Sequence, residues 1–507
     1  MFAQGLARTA QAYGDCTATI DGDKVQNWRD FGDKISRIAG GLRSIGCQPG
    51  DRVAILAATT PEHLATMYAV VWAGCVLVPL NTRLSPDELN HIVSQSESNV
   101  LASDIRNLAG AESVMEATAN SLKSIAMDDG ALGDESLDEL AKSDGIDAWA
   151  ADMSDLFALY YTGGTTGLPK GVMVSVGAAG VQALNMVFDL AVSEKSNYLH
   201  APPLFHLAGA SAANACAFAG GAQTFLPDIT PDAYIKTVMD KKVTMIALVP
   251  TMLVDMLEAP NAAEAFQSLE MFAYGTAPIP EALLRKVLDR CPDIKLVQIY
   301  GQSEVTGPAT VLRPEHHVLS GPFADKLDSA GIPIMGHEVR IADEDGNTVA
   351  NGTTGEVLIR GPGVMTGYWQ QPELTAKALK DGWLHTGDAG IMDDDGFIKI
   401  VDRLKDMIIT GGENVFCVEV ESVIAEHPAV SICTVIGLPD EKWGERVHAV
   451  VVLEEGAELD FETLDEHCRK SIAGYKCPKT ADFTTDPLPL SGVGKIRKDI
   501  LRAKYSN

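Results

Sequence analysis

At 507 residues the chain is too long for one compact core and reads as two to four domains, or as one large composite domain with an appendage. Its composition, 46% hydrophobic and 21% charged, is that of an ordinary soluble globular protein, while 69 acidic against 40 basic residues (net −29) argue against general affinity for nucleic acid or anionic membrane. The nine cysteines are scattered, odd in number and without a Cys-x-x-Cys pair, so neither a disulfide framework nor a zinc site is indicated and reduced cytoplasm is the simplest compartment; the longest apolar region, Met67–Leu80, is too short and Gly-interrupted for an integral membrane span.

In chain order, apolar residues recur at helical spacing from Trp28 to Ile45. Arg52–Leu56 then reads as a strand, Pro61–Ala73 as a helix and Val76–Pro79 as another strand. Further strands are expected at Asn197–Pro202, Ala222–Leu226, Met245–Val249, Met271–Tyr274 and Lys295–Ile299, with helical intervals between them. The Ala-rich run Ala208–Ala222 reads as a closely packed helix closed by a Gly220–Gly221 turn. This alternation predicts stacked, mostly parallel α/β layers. Beyond Gly331 the texture changes to short strands with Gly and Asp turns (Val339–Ile341, Glu356–Ile359, Phe397–Ile400), as in a small β-rich subdomain, and after Asp402–Asp406 about a hundred residues form a compact remainder.

The most informative segment runs from Tyr160 to Gly171. It concentrates Gly163, Gly164, Gly167 and Gly171 with the hydroxyls of Thr162, Thr165 and Thr166 and the charge of Lys170, and has no acidic residue. Glycines that expose successive N–H groups, hydroxyl donors and a lysine make a phosphate-holding loop, with Leu156–Tyr160 as a buried strand leading into it. The P-loop of nucleotide hydrolases is excluded, because Lys170 lies between Pro169 and Gly171 rather than before Ser or Thr.

This segment resembles the phosphate-binding signature of the adenylate-forming superfamily: acyl-CoA synthetases, luciferases and peptide-synthetase adenylation domains. Gly163 stands where the family usually has Ser, removing one hydroxyl while leaving the backbone cradle. Four further segments match the family in order, and together they span residues 160–495. The resemblance implies a large N-terminal AMP-binding and acyl-substrate domain (1–404) and a mobile α+β C-terminal lid (405–507), with Lys405 as hinge. Tyr300–Gly301–Gln302–Ser303–Glu304 resembles the family's Tyr-Gly-x-Thr-Glu, with Glu304 as magnesium ligand, Thr165 assisting, and Tyr300 packing on the base. Gly275–Thr276–Ala277 resembles the adenine-side loop. Asp388 in Thr386–Gly387–Asp388 matches the residue that accepts hydrogen bonds from the ribose hydroxyls, and Arg403 its basic partner. His206 after Pro202–Pro203 falls at the acyl pocket with Tyr274 and Gly275, in gating or orientation, since a carboxylate ionised near neutral pH needs no base. Gly411–Gly412–Glu413 resembles the lid loop that approaches coenzyme A, with Trp443 and Tyr475 as further contacts. Lys495 in Ser491–Gly492–Val493–Gly494–Lys495 matches the catalytic lysine, ahead of a basic tail.

The expected function is thus an ATP- and Mg²⁺-dependent carboxylic acid–CoA ligase that activates a hydrophobic carboxylate, a fatty acid first and a cinnamate- or benzoate-type acid second. Partners are the small-molecule acid, ATP and coenzyme A; nothing in the sequence sets the oligomeric state, homodimer included. The chain ends twelve residues after Lys495, which favours a free-standing ligase over a peptide-synthetase module. A catalytically silent nucleotide-binding regulator on the same fold is disfavoured by retention of Glu304, Asp388 and Lys495. Gly209–Ala210–Ser211–Ala212–Ala213 lacks the last Gly of a hydrolase nucleophile elbow, and no histidine pair has zincin spacing.

Overall fold

The computed structural model describes residues 1–164, 167–226, 228–248, 250–275, 279, 281–490 and 496–506. Among these residues two large mixed sheets carry the N-terminal portion. One has nine strands in the order Ile332–Pro333, Gly307–Leu312, Leu296–Gln302, Met271–Gly275, Met245–Leu248, Asn197–Leu199, Ala222–Phe225, Thr17–Asp21 and Lys24–Asn27. The other has eight: Gly367–Tyr368, Gly167–Ser175, Leu156–Gly164, Val76–Pro79, Arg52–Leu56, Val100–Ser103, Lys123–Ala126 and Glu135–Ser136. Interior pairs are parallel and antiparallel pairs lie toward the edges, so the expected parallel α/β layering holds.

Helices pack against these sheets, and their sequences suit deep burial. Pro61–Trp72 begins with Thr60 accepting from the His63 N–H and Pro61 in the first turn, where a missing N–H costs nothing. Eleven of its twelve residues are buried, as befits a helix apolar on every face. Leu207–Ala219 is likewise almost wholly buried, and its Ala, Gly and Ser side chains permit close approach: a Cβ at Gly209 would lie 2.4 Å from the Pro202 and Pro203 carbonyl oxygens. It ends at Gly220 in the left-handed region (φ 78°), at the turn expected from the Gly pair.

A third, five-stranded sheet is built from Glu338–Ala342, Gly355–Arg360, Trp383–Met392, Leu379–Lys380 and Ile398–Arg403. The smaller C-terminal domain holds a fourth, with Glu413–Val415, Ile408–Thr410, Gly444–Leu453, Val430–Asp440 and Thr480–Thr484. Ile408, Val420, Ile424, Val435, Val447, Val451 and Leu464 give that domain its own apolar core. No helix among the described residues is long and apolar enough to cross a membrane.

Candidate active site

The glycine-rich segment differs from the expected loop. Strand Leu156–Gly164 pairs antiparallel with Gly167–Ser175, matching Tyr161 with Gly171, Thr162 with Lys170 and Gly164 with Gly167. The described residues of the segment are therefore the two strands of a hairpin. Its register slips between Thr162 and Gly164, the kind of irregularity glycine accommodates. Alternate inward residues, Ala158, Tyr160, Val172 and Val174, are buried and extend both strands into the motif. Thr165 and Thr166 lie outside the described residues.

The hairpin is braced from its flank. Tyr161 donates its hydroxyl to Gln95 Oε1, Gln95 Nε2 donates to the Trp369 carbonyl at 2.9 Å, and Trp369 Nε1 donates back to the Gln95 carbonyl at 3.0 Å. Gly171 makes room for this: a Cβ there would stand 3.0 Å from the Tyr161 ring and 3.3 Å from Trp369 Cβ.

Glu304 sits where strand Leu296–Gln302 gives way to the short 3₁₀ turn Ser303–Val305. Buried Gln182 holds that turn from beneath, donating Nε2 to the carbonyls of Val305 (2.6 Å) and Pro308 (2.7 Å), and Thr306, at φ 57°, donates its hydroxyl to the Gly363 carbonyl at 2.7 Å. Glu304 Oε1 accepts from the Tyr368 hydroxyl at 2.8 Å, and Lys170 Nζ stands 5.5 Å from the centre of the same Tyr368 ring. Tyr368 thereby joins two motifs 134 residues apart in sequence. Gly301 is indispensable to this corner, since a Cβ would fall 1.9 Å from the Gly307 carbonyl oxygen.

Asp388, only 3% exposed, pairs across the sheet with Arg403. Its Oδ1 accepts from Arg403 Nε at 2.8 Å, its Oδ2 from the Tyr300 hydroxyl at 2.7 Å, and its N–H donates to Thr386 Oγ1 at 3.1 Å. Burial, with the Asp388 charge second, pushes the Tyr300 hydroxyl well above its usual range, so it remains a donor. Gln302 Nε2 reaches the Thr386 carbonyl at 3.4 Å, tying the strand that carries Tyr300 to the strand that carries Asp388.

The remaining expected residues make separate local contacts. His206 caps helix Leu207–Ala219, its Nδ1 accepting from the Ala208 N–H at 3.2 Å, so that nitrogen carries no proton. Tyr274 is 2% exposed and its hydroxyl meets His317 Nε2 at 2.8 Å, while His317 Nδ1 meets the Arg313 carbonyl at 3.0 Å. A carbonyl can only accept, so His317 is protonated at Nδ1 and takes the tyrosine proton at Nε2; burial lowers its pKa to about 4 and keeps it neutral. Gly275 ends the same strand, where a Cβ would lie 2.2 Å from the Ile299 carbonyl oxygen. Thr276, Ala277 and Lys495 lie outside the described residues.

In the C-terminal domain Gly411 (φ 62°) and Gly412 (φ 86°) turn one strand into the next, with Glu413 exposed beside them. Trp443 covers that turn: Gly411 donates its N–H to the Trp443 carbonyl at 2.8 Å, and a Cβ on Gly411 would lie 2.9 Å from the indole. Trp443 and Tyr475 are 44% and 41% exposed, with Lys442 Nζ 4.5 Å from the centre of the Trp443 ring and Lys476 Nζ 5.9 Å from that of Tyr475. Lys405 lies in the turn after strand Ile398–Arg403. On either side of it, Asp402 accepts the N–H groups of Arg403 and Cys417, and Asp406 pairs with Arg502 at 2.9 Å. Lys498, one turn from Arg502 on the last helix, pairs with Glu421 at 2.8 Å.

Tyr368, Gln95 and His317 were not singled out by sequence. Each acts through a contact between distant segments; the glycine and aromatic neighbours of Tyr368 in Gly367–Tyr368–Trp369 were the one local sign of a close backbone approach.

Residues 6–369 match the AMP-binding enzyme family and residues 419–495 the AMP-binding enzyme C-terminal domain. The chain is 37% identical to a feruloyl-CoA synthase of Amycolatopsis sp. over 508 aligned residues, covering 99% of each. It is 35% identical to a long-chain-fatty-acid–CoA ligase of Mycobacterium tuberculosis, covering 93% of this chain and 91% of that one. Its fold superposes on o-succinylbenzoate CoA synthetase from Bacillus subtilis in complex with the acyl-adenylate intermediate with a TM-score of 0.85 at 30% identity, covering 98% and 97% of the two chains.

Proposed function

The chain belongs to the AMP-binding enzymes, the adenylate-forming superfamily of acid–thiol ligases, and from that premise we propose that it activates a hydrophobic monocarboxylate as its acyl-adenylate and transfers the acyl group to coenzyme A. The observation that carries this reading is the convergence of the phosphate hairpin and Glu304 on Tyr368, with the Tyr300–Asp388–Arg403 cluster at the other end of the segment 300–304. The Lys170 ammonium and a buried carboxylate that accepts from hydroxyl and guanidinium donors suit, respectively, the triphosphate and the ribose of ATP.

In the first half-reaction a substrate carboxylate oxygen attacks the α-phosphorus, and the bond to the pyrophosphate oxygen breaks. Lys170 and the hairpin N–H groups hold phosphate oxygens; Asp388 has lone pairs left beyond its two donors for the ribose hydroxyls; Lys495 balances charge developing on the transferred phosphoryl group. Glu304 fits a hard divalent cation: its Oε1 is held by Tyr368, its Oε2 has no protein partner among the described residues, and one carboxylate plus substrate phosphates is the usual magnesium arrangement. When bound there, Mg²⁺ would neutralise phosphate charge. In the second half-reaction the thiol of coenzyme A attacks the acyl carbonyl and AMP leaves. We assign residues 405–507 to a lid that turns at Lys405, withdrawing Lys495 and bringing Gly411–Gly412, Glu413, Trp443 and Tyr475 to the thiol's path. His206 and Tyr274, with Gly275, are assigned to the acyl side.

Fatty and aryl acids remain the two substrate classes, the second favoured by the 37% identity to the feruloyl-CoA synthase. Pyrophosphate release measured over a panel of fatty, cinnamic and benzoic acids, with and without coenzyme A, tests both. Acid-dependent release followed by CoA-dependent thioester is the expected result; ATP cleavage indifferent to every acid contradicts the proposal.

A further inference from the structure

Tyr368 is 7% exposed, and its backbone needs no help from its hydroxyl. Gly367 and Tyr368 pair with Met173 and Val172, and the Tyr368 N–H donates to Thr375 Oγ1 at 2.9 Å. The ring is therefore located by its strand, and the hydroxyl is left to act on what lies beyond it, Glu304 Oε1 at 2.8 Å. On the same ring stands the Lys170 ammonium, 5.5 Å from the centroid, a favourable cation–π distance. One side chain thus fixes an anion at its hydroxyl and a cation at its face.

We propose that Tyr368 is a positioning residue that holds the Glu304 carboxylate in a single orientation, one oxygen tied and the other left for the cation of the nucleotide, and so sets the site's divalent-metal affinity. The inference rests on the assignment of Glu304 as the metal ligand. A second group that orients a metal-binding carboxylate is ordinarily worth ten- to a hundredfold in metal affinity. Tyr368→Phe removes that donor while keeping the ring for Lys170 and for packing.

The test is Mn²⁺ binding, followed by electron paramagnetic resonance, to the full chain with a non-hydrolysable ATP analogue and no acid, so that no turnover enters the readout. Tyr368→Phe and Glu304→Gln should each weaken Mn²⁺ by about tenfold, and the double variant should be no weaker than Glu304→Gln alone, because the tyrosine acts through the carboxylate. Pyrophosphate exchange in Tyr368→Phe should show the same shift in Mg²⁺ requirement, with the rate at saturating Mg²⁺ within about twofold of the parent. Tyr368→Leu, which lacks the same donor, should reproduce the shift and serves if Tyr368→Phe folds poorly. If Glu304→Gln weakens Mn²⁺ while the folded Tyr368 variant does not, or if the two losses multiply, the positioning role is overturned and the metal assignment stands. If Glu304→Gln leaves Mn²⁺ unchanged, the metal assignment falls and the positioning role with it.

Discussion

Replacing Asp388 with Ala separates a scaffold from a nucleotide ligand, because the carboxylate serves neighbours whose losses can be counted. Its removal strands the Tyr300 hydroxyl in a buried setting, which costs about 1–3 kcal/mol. Arg403 loses its partner too, but its side chain is 43% exposed and can turn to water, so that term adds no more than about 1 kcal/mol. The fold should therefore lose about 1–4 kcal/mol, seen as a lowered urea midpoint with unchanged slope in the transition that reports on this domain. A carboxylate offers about four acceptor positions, of which Tyr300 and Arg403 use two, leaving about two for ribose hydroxyls. Losing two hydrogen bonds to a charged acceptor, at about 1.5–2 kcal/mol each, predicts AMP binding weaker by about a hundred- to a thousandfold, measured by calorimetry at a temperature where the variant is folded. Tyr300→Phe is the control: it forfeits one hydroxyl, leaves Arg403 on the carboxylate and should keep AMP affinity within a few fold. The reasoning is refuted if Asp388→Ala lowers stability as stated yet binds AMP within threefold of the parent.

Lys495→Ala should lower acid-dependent ATP–pyrophosphate exchange by about two to three orders of magnitude, the loss typical of one transition-state donor, while thioester formation from supplied acyl-adenylate survives; near-parental exchange contradicts the assignment. Lys405→Pro fixes φ at the turn beside Asp406 and restricts Leu404, so single-turnover assays should retain acyl-adenylate formation while transfer to coenzyme A falls steeply; retained transfer shows that rotation at this residue is not needed. The buried imidazoles of His63, His200 and His317 are each lowered from 6.5 to about 4, chiefly by desolvation. Above pH 6.5 they are neutral in folded and unfolded chains alike; as pH falls from 6.5 toward 4 only the unfolded chain takes up their protons, so stability drops by about 1.4 kcal/mol per pH unit for each. Urea unfolding between pH 7 and 5 measures this, and a flat profile would show that these rings are solvated.

Local pattern made much of the architecture legible. Strands Arg52–Leu56 and Val76–Pro79 and the helices beginning at Trp28 and Pro61 form as read, because burial on one or all faces imposes its period on the sequence. The glycine-rich segment was legible in chemistry and misread in shape. Its glycines suggested a loop, whereas the apolar alternation on either side carries two antiparallel strands through them to Gly164 and Gly167, since cross-strand hydrogen bonds and inward burial of Tyr160 and Val172 outweigh glycine's weak strand preference.

Motif order and residue type identified Glu304, Asp388 and Lys170 as candidates, because charge and hydrogen-bonding capacity belong to a residue wherever it is placed. Their partners were another matter. That the Glu304 carboxylate is met by Tyr368, that Asp388 is shared by Tyr300 and Arg403, and that Gln95 clamps Tyr161 to Trp369 could be decided only by tertiary structure, since each contact joins segments from different strands or sheets and depends on register and side-chain direction. Chemical capacity is written residue by residue; its direction and its partners arise only when the chain closes distances of 15 to 274 residues to within a hydrogen bond.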